Sequence, residues 1–130
     1  MADHPNAATA RAALEAFQSG DMEKVAAAIA DDAVWHVPGS HKWAGAYRGR
    51  DEILGRFAKM AAEGVSQTQD DIHDVVGNDE HVVALVRMTL TAPGGSASTN
   101  SAFIYHVRDG QAVEFWAIND NQAAIDALLS

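Results

Sequence analysis

The second half of the chain is a succession of β-rich segments separated by turn sequences, and this feature restricts the possible folds most. Segments rich in Val, Ile, Thr and aromatic residues cover 66–77, 81–92, 98–108 and 111–118. The sequences between them are Asn78-Asp79-Glu80, Pro93-Gly94-Gly95 and Asp109-Gly110, all typical of hairpin turns. Consecutive hairpins predict an antiparallel, strongly twisted sheet.

Helical patterns dominate the first half. Residues 6–17 are rich in alanine, and we expect a helix that Asn6 caps and Gly20 ends. Asp21 is expected to cap a second helix that continues to Asp31.

A short strand and a third helix are predicted next. Residues 33–37 favour the strand, and an irregular segment is expected from Pro38 to Ala46. The third helix is predicted from Gly49 to about Glu63, and a short helix at 121–129 closes the chain.

Helices that precede a run of long antiparallel strands are typical of the α+β class. We expect a cone-shaped, strongly curved mixed or antiparallel sheet packed on the three helices of the N-terminal half, with the short helix at the C-terminal end. The length of 130 residues suits one domain over 1–130. A curved sheet covered in this way leaves room for an apolar pocket.

Charge and composition exclude several classes of partner. Eighteen acidic residues stand against nine basic ones, which argues against nucleic acid and membrane surfaces as partners. The chain has no cysteine, so disulfides and thiolate chemistry are excluded. The first residues have no signal-peptide character, and we expect a cytoplasmic protein.

Several local phrases resemble the polyketide-cyclase (SnoaL)-like branch of the nuclear-transport-factor-2-like, or ketosteroid-isomerase-like, superfamily. These phrases are DAVWHVPG at 32–39, AGAYRGRD at 44–51, HDVV at 73–76, HVRDG at 106–110, and VEFW at 113–116 followed by Asp120. The resemblance implies a homodimer that packs sheet on sheet. Its members include isomerases, cyclases, epoxide hydrolases, dehydratases and proteins without known activity, so it specifies the fold better than the chemistry.

Asp120 is the first catalytic candidate. The last strand places Glu114, Trp116, Ile118 and Asp120 on one face at period two. The resemblance implies an acid/base role near this position, and a carboxyl group beside an indole would have a raised pKa. The alternative is that Asp120 only caps the final helix.

Three further side chains are candidates for the chemistry. His73 needs a carboxylate partner from a neighbouring strand, since Asp74 is expected to face away from it. Arg87 interrupts an apolar run, so it either forms a salt bridge across the sheet or projects into the pocket. Tyr47 is expected to donate a hydrogen bond to a ligand carbonyl.

The pocket itself is expected to be mainly aromatic, whereas His106 is expected on the surface or at the dimer contact. The predicted lining residues are Trp35, His36, His41, Trp43, Phe57, Met60, Phe103, Tyr105 and Trp116. His36 and His41 match no metal-binding spacing, so we predict neither a metal nor another cofactor.

Two classes of function follow. The first is a cofactor-independent acid/base enzyme, of cyclase, isomerase or hydratase type, acting on a small hydrophobic carbonyl compound. The second is a non-catalytic domain that either binds a ligand or serves as a dimeric interaction domain. In a pure interaction domain, the aromatic residues themselves would fill the pocket. An epoxide-hydrolase-like hydrolase, with Arg87 and Asp120 positioning a water, is a further alternative.

Overall fold

The computed structural model describes residues 4–130, and the chain in this range forms helices and one six-stranded sheet. The helices are α1 (Pro5–Ser19), α2 (Met22–Ala27), α3 (Arg50–Ala62) and α4 (Gln122–Leu129). The strands are β1 (Ile29–Val37), β2 (Gly45–Arg48), β3 (Ser66–Gly77), β4 (His81–Ala92), β5 (Gly95–Arg108) and β6 (Gln111–Asn119). The predicted α+β class is therefore confirmed.

The strand order is β2-β1-β6-β5-β4-β3. Four of the five pairings are antiparallel, and β1 pairs with β6 in parallel, which makes the sheet mixed. We call the face that packs against the helices the inner face and the opposite face the outer face. Val82, Ala84 and Val86 of β4 are buried on the inner face, whereas Leu85 between them is exposed on the outer face.

The helices attach to the inner face through three apolar clusters. Ala7 and Leu14 of α1 pack with Val75, Val82 and Val86. A second cluster joins α2 and α3 to β1 and contains Val25, Ile29, Ala33 and Ile53. The third surrounds Ile125 and Leu129 of α4 together with Trp43, Met60 and Leu90. No helix within residues 4–130 has the length and apolar character needed to cross a bilayer.

The ends of the first two helices differ from the sequence predictions. α1 is capped by His4, whose Nδ1 accepts a hydrogen bond from the backbone N–H of Asn6, and not by Asn6. α2 has the predicted Asp21 cap but ends at Ala27. It ends early because Ile29 already begins β1, where its carbonyl accepts two hydrogen bonds from the Arg50 guanidinium.

A strand that the sequence did not predict, β2, begins at the end of the predicted irregular segment and continues to Arg48. β2 pairs with the end of β1, with Trp35 opposite Tyr47 and Val37 opposite Gly45. Four residues carry too little alternation to signal a strand, and the pairing with β1 supplies the hydrogen bonds that make them one.

Candidate functional site

A cavity of about 130 Å³ lies between the helices and the inner face of the sheet. Its wall is predominantly apolar and comes from α1, α2, α3 and strands β1, β3, β5 and β6. The residues that define its character are Leu14, Phe17, Trp35, Ile53, Phe57, Phe103, Tyr105 and Phe115. Thr9 and Gly110 also border the cavity and are exposed, so it reaches the surface on that side.

Stacked aromatic rings give this wall a defined shape. The Trp35 ring lies 5.3 Å from that of Phe57 and 5.4 Å from that of Phe115, with the planes nearly parallel in both pairs. Tyr105 continues the series, with its ring 5.5 Å from that of Phe115. Offset stacking at these distances is favourable, so the wall is preformed.

Few polar groups enter the cavity, and two of them are unpaired. Gln69 on β3 is 6% exposed, and its Oε1 has no hydrogen-bond partner. Burial raises the pKa of Tyr105, and within residues 4–130 no hydrogen bond to its hydroxyl offsets that shift. No Asp, Glu, His, Lys or Arg side chain of the described residues lines this cavity. The site can therefore form hydrogen bonds, but it holds no charged acid or base.

Three of the four catalytic candidates lie together elsewhere, in an open groove on the outer face. Asp120, Arg87 and His73 line this groove with Asn100. The Asp120 carboxylate accepts hydrogen bonds from the backbone N–H and the Nδ2 of Asn100, both 2.9 Å, and from the Thr99 hydroxyl at 3.1 Å. These bonds, mainly those of Asn100, hold the pKa of Asp120 below its usual value, opposite to the rise expected from the sequence.

Neighbouring contacts explain the placement of the three groups. Asp120 does not cap α4, since Asn121 occupies that position without a side-chain cap bond. Among residues 4–130, Arg87 forms no salt bridge and does not line the cavity; its Nη1 donates to Oδ1 of Asn100 at 3.1 Å. His73 lies in a β-bulge between the paired residues Ile72 and Asp74, which interrupts the alternation expected from the sequence.

Tyr47, the fourth candidate, lies outside the cavity. Its hydroxyl donates to the backbone carbonyl of Trp43 at 2.7 Å, which ties Tyr47 to the 38–44 segment. His41 is buried in the same segment, with Nδ1 accepting from the Trp43 N–H at 3.1 Å. Burial, the largest cause, lowers the pKa of His41, and nearby Arg56 adds to the shift against the opposing effect of Asp126.

The predicted lining residues therefore divide into two groups. Those whose rings border the cavity are Trp35, Phe57, Phe103 and Tyr105, whereas Trp116 borders it although its indole stacks on His36 at the outer face. Those that do not are His36, His41, Trp43 and Met60. Trp43 and Met60 belong to the apolar cluster around α4, where core packing accounts for them. These aromatic rings leave about 130 Å³ of the cavity open.

His36 belongs to a cluster on the outer face. Its Nε2 lies 2.7 Å from Oε2 of Glu114, and its ring stacks on Trp116 at 5.1 Å. His106 meets the edge of the same indole at 4.9 Å, on the outer face as the sequence suggested. Within residues 4–130, no three His, Asp or Glu side chains are arranged to hold a metal ion.

Sequence reasoning missed two residues next to the cavity. Gln69 stands in the run Ser66-Gln67-Thr68-Gln69, which has no apolar residue to show which side faces inward. Arg56 on α3 is 5% exposed, and its guanidinium lies 4.6 Å from the Trp35 ring and 5.3 Å from the Tyr47 ring. The sequence did hold a signal for its burial. Arg56 lies three residues after Ile53 and one before Phe57, which places it on the apolar side of the helix.

Comparison with known proteins agrees with this architecture. Residues 10–115 match the family model described as SnoaL-like domain. An uncharacterised protein of Mycobacterium tuberculosis is 28% identical over 121 residues, covering 90% of this chain and 92% of that protein.

Solved structures give the same result. Bal32a, from a soil-derived mobile gene cassette, is 25% identical with a TM-score of 0.88 and 97% coverage of both chains. IdmH from Streptomyces antibioticus, named a putative polyketide cyclase, is 28% identical with a TM-score of 0.69, covering 93% of this chain and 97% of IdmH.

Proposed function

Because the chain belongs to the SnoaL-like domain family, we propose that it binds a small, largely apolar organic molecule in the cavity between its helices and sheet. The observation that carries this proposal is an open cavity of about 130 Å³ with an aromatic wall. An engineered apolar cavity of about 150 Å³ in another protein binds benzene, so this one suits a molecule of about one ring. Uncharged ligands are favoured because no charged side chain of the described residues faces the cavity.

A cyclase-type reaction is the second candidate function. IdmH, which resembles this chain at 28% identity, is named a putative polyketide cyclase, and this supports a related chemistry here. In such a reaction Tyr105 would donate a hydrogen bond to the oxygen on which negative charge develops, since its raised pKa keeps the hydroxyl protonated. Asp120 receives no role in this proposal, because it lies on the outer face and its lowered pKa makes it a weak base.

Toluene is a suitable probe for the binding proposal. Calorimetric titration of the wild-type protein is expected to show binding of one toluene per chain. Ala13 borders the cavity, so Ala13→Phe should fill it and abolish binding. Ala127→Phe, at an exposed position on α4, is the matched control and should bind as the wild type does. Equal binding by both variants, or none by the wild type, would contradict the proposal.

We also propose that two copies associate through the outer face. Leu85, Ile118 and Val76 are 41%, 61% and 52% exposed there, which is unusual for large apolar side chains on one sheet. The groove beside them carries both signs of charge, with Arg87 and Asp120 close together, so a twofold contact can place opposite charges across it. Analytical ultracentrifugation should show a dimer for the wild-type protein and a monomer for Ile118→Asp. A monomeric wild type would disprove this proposal.

The cytoplasmic location stays a prediction.

A further inference from the structure

We propose that Gln69 recognises a hydroxyl or amide group of the bound molecule, so that the cavity selects neutral ligands with a hydrogen-bonding group over plain hydrocarbons. This inference rests on the proposed function and specifies the ligand class for the same cavity. It concerns a residue that sequence analysis did not single out.

The side chain of Gln69 has hydrogen-bonding capacity that the protein leaves unused. A carboxamide offers two N–H donors and an acceptor oxygen. Gln69 is 6% exposed, and its Oε1 is fully buried without a partner. Its backbone carbonyl, in contrast, accepts a hydrogen bond from the Gln18 side chain, which ties this part of β3 to α1. The backbone is thus held in place while the amide stays available.

The local strand geometry directs Gln69 inward. It pairs with Met88 on β4, and the next pair is Asp71 with Arg87, so Asp70 is an extra residue in a β-bulge. Asp70 is held on the exposed side by the hydroxyls of Thr68 and Thr89. Because of the bulge, Gln69 borders the cavity while Asp70 and Asp71 both stay exposed.

A buried amide oxygen without a partner lowers the stability of the empty protein, since Oε1 of Gln69 has lost water and gained no hydrogen bond. Leucine has a similar size and would avoid this loss. A ligand hydroxyl or amide placed beside Gln69 restores the missing bond, and a hydrocarbon does not. Sites built to hydrogen-bond a substrate group discriminate strongly against analogues that lack it.

Tyr105 is not expected to bind the same ligand group as Gln69. Gln69 pairs with Met88, whereas Tyr105 pairs with Val82, six residues away along β4. The two polar side chains therefore belong to different ends of the cavity. A one-ring ligand with a single hydroxyl is expected to place that group at the Gln69 end.

Phenol and toluene are the probes, because they differ only by a hydroxyl in place of a methyl group. The measured quantity is the ratio of the phenol affinity to the toluene affinity, compared between wild type and variant. The different hydration of the two free ligands affects this ratio equally in every protein, so it cancels in the comparison. Gln69→Leu should lower the phenol-to-toluene ratio about tenfold, which corresponds to about 1.4 kcal/mol. Gln122→Leu, on α4 and outside the cavity lining, is the matched control and should keep the wild-type ratio. Gln69→Met serves if the leucine variant does not fold.

The outcomes separate the two proposals. Binding of toluene with the same ratio in wild type and Gln69→Leu would overturn the role of Gln69 and leave the apolar cavity site standing. A fall of the ratio in Tyr105→Phe alone would overturn it too, since the hydroxyl would then bind at the other end. If the wild-type protein binds neither probe, both the proposed function and this inference are wrong.

Discussion

Replacing Arg56 with methionine is expected to stabilise the folded protein by about 1–2 kcal/mol, although it removes a charged side chain with several contacts. Arg56 is 5% exposed, and its Nη1 has no hydrogen-bond partner. No carboxylate of the described residues forms an ion pair with it. Burial lowers its pKa, which the adjacent Tyr47 only partly offsets.

The magnitude follows from two opposed contributions. The guanidinium lies 4.6 Å from the Trp35 ring, which gives up to about 2 kcal/mol, and its contacts with Tyr47 and Phe57 at 5.3 and 5.9 Å give about 0.5–1 kcal/mol each. Its Nε bond to the Trp43 carbonyl is long, 3.4 Å, and adds under about 1 kcal/mol. Desolvation of the charged guanidinium, including its unpaired Nη1, costs several kcal/mol. The costs exceed the gains by a small margin.

Urea unfolding at neutral pH measures this difference directly. Methionine keeps the unbranched stem of Arg56 and removes the charge, so it isolates the effect of the guanidinium. Arg50→Met is the matched control: Arg50 donates to the Ile29 carbonyl and pairs with Asp31 at 2.6 Å, so its loss should destabilise. If Arg56→Met is less stable than wild type by more than about 1 kcal/mol, the ring contacts outweigh the burial cost and the reasoning is refuted.

Three further predictions concern titration and packing. The pKa of Asp120 is lowered in the fold, mainly by Asn100, so Asp120 stabilises the protein above about pH 4 and loses that contribution as pH falls through the folded pKa. Urea unfolding of Asp120→Asn should therefore show the largest loss of stability at pH 7 and a loss that shrinks steadily as the pH falls below about 4. Burial is the main cause that lowers the pKa of His41, and the positive charge of Arg56 lowers it further. Arg56→Met should therefore raise the pKa of His41 in an NMR titration, and an unchanged pKa would contradict this electrostatic coupling between the two residues. Ile53 is fully buried beside the cavity, so Ile53→Ala should cost about 2–5 kcal/mol and admit naphthalene, which the wild type should exclude.

The long strands were predictable because their signals are local. β3 and β4 occur with the predicted bounds, since Asn78-Asp79-Glu80 and Pro93-Gly94-Gly95 interrupt runs of β-favouring residues. The parallel pairing of β1 with β6 was not visible, because it joins residues about 80 positions apart, such as Trp35 and Phe115. No local pattern encodes a partner at that distance.

The candidate site was predictable only in part. The alternation of side chains along β6 correctly predicted that Glu114, Trp116, Ile118 and Asp120 share one face of the sheet. The alternation cannot show which face the helices cover, because β6 is half-buried along most of its length. For this reason Asp120 was expected in the pocket and lies in the outer groove instead.

The sequence by itself determined the order of the elements other than β2, the antiparallel succession from β3 to β6 and the α+β class, because turn propensity, capping and hydrophobic periodicity act over a few residues. Only the tertiary structure decided which side chains meet. The β-bulges on β3 and the packing of α1, α2 and α3 on one face of the sheet place Gln69 and Tyr105 in the cavity and leave His73 and Asp120 outside it. These arrangements depend on contacts between segments far apart in the chain, and such contacts form only when the whole core packs.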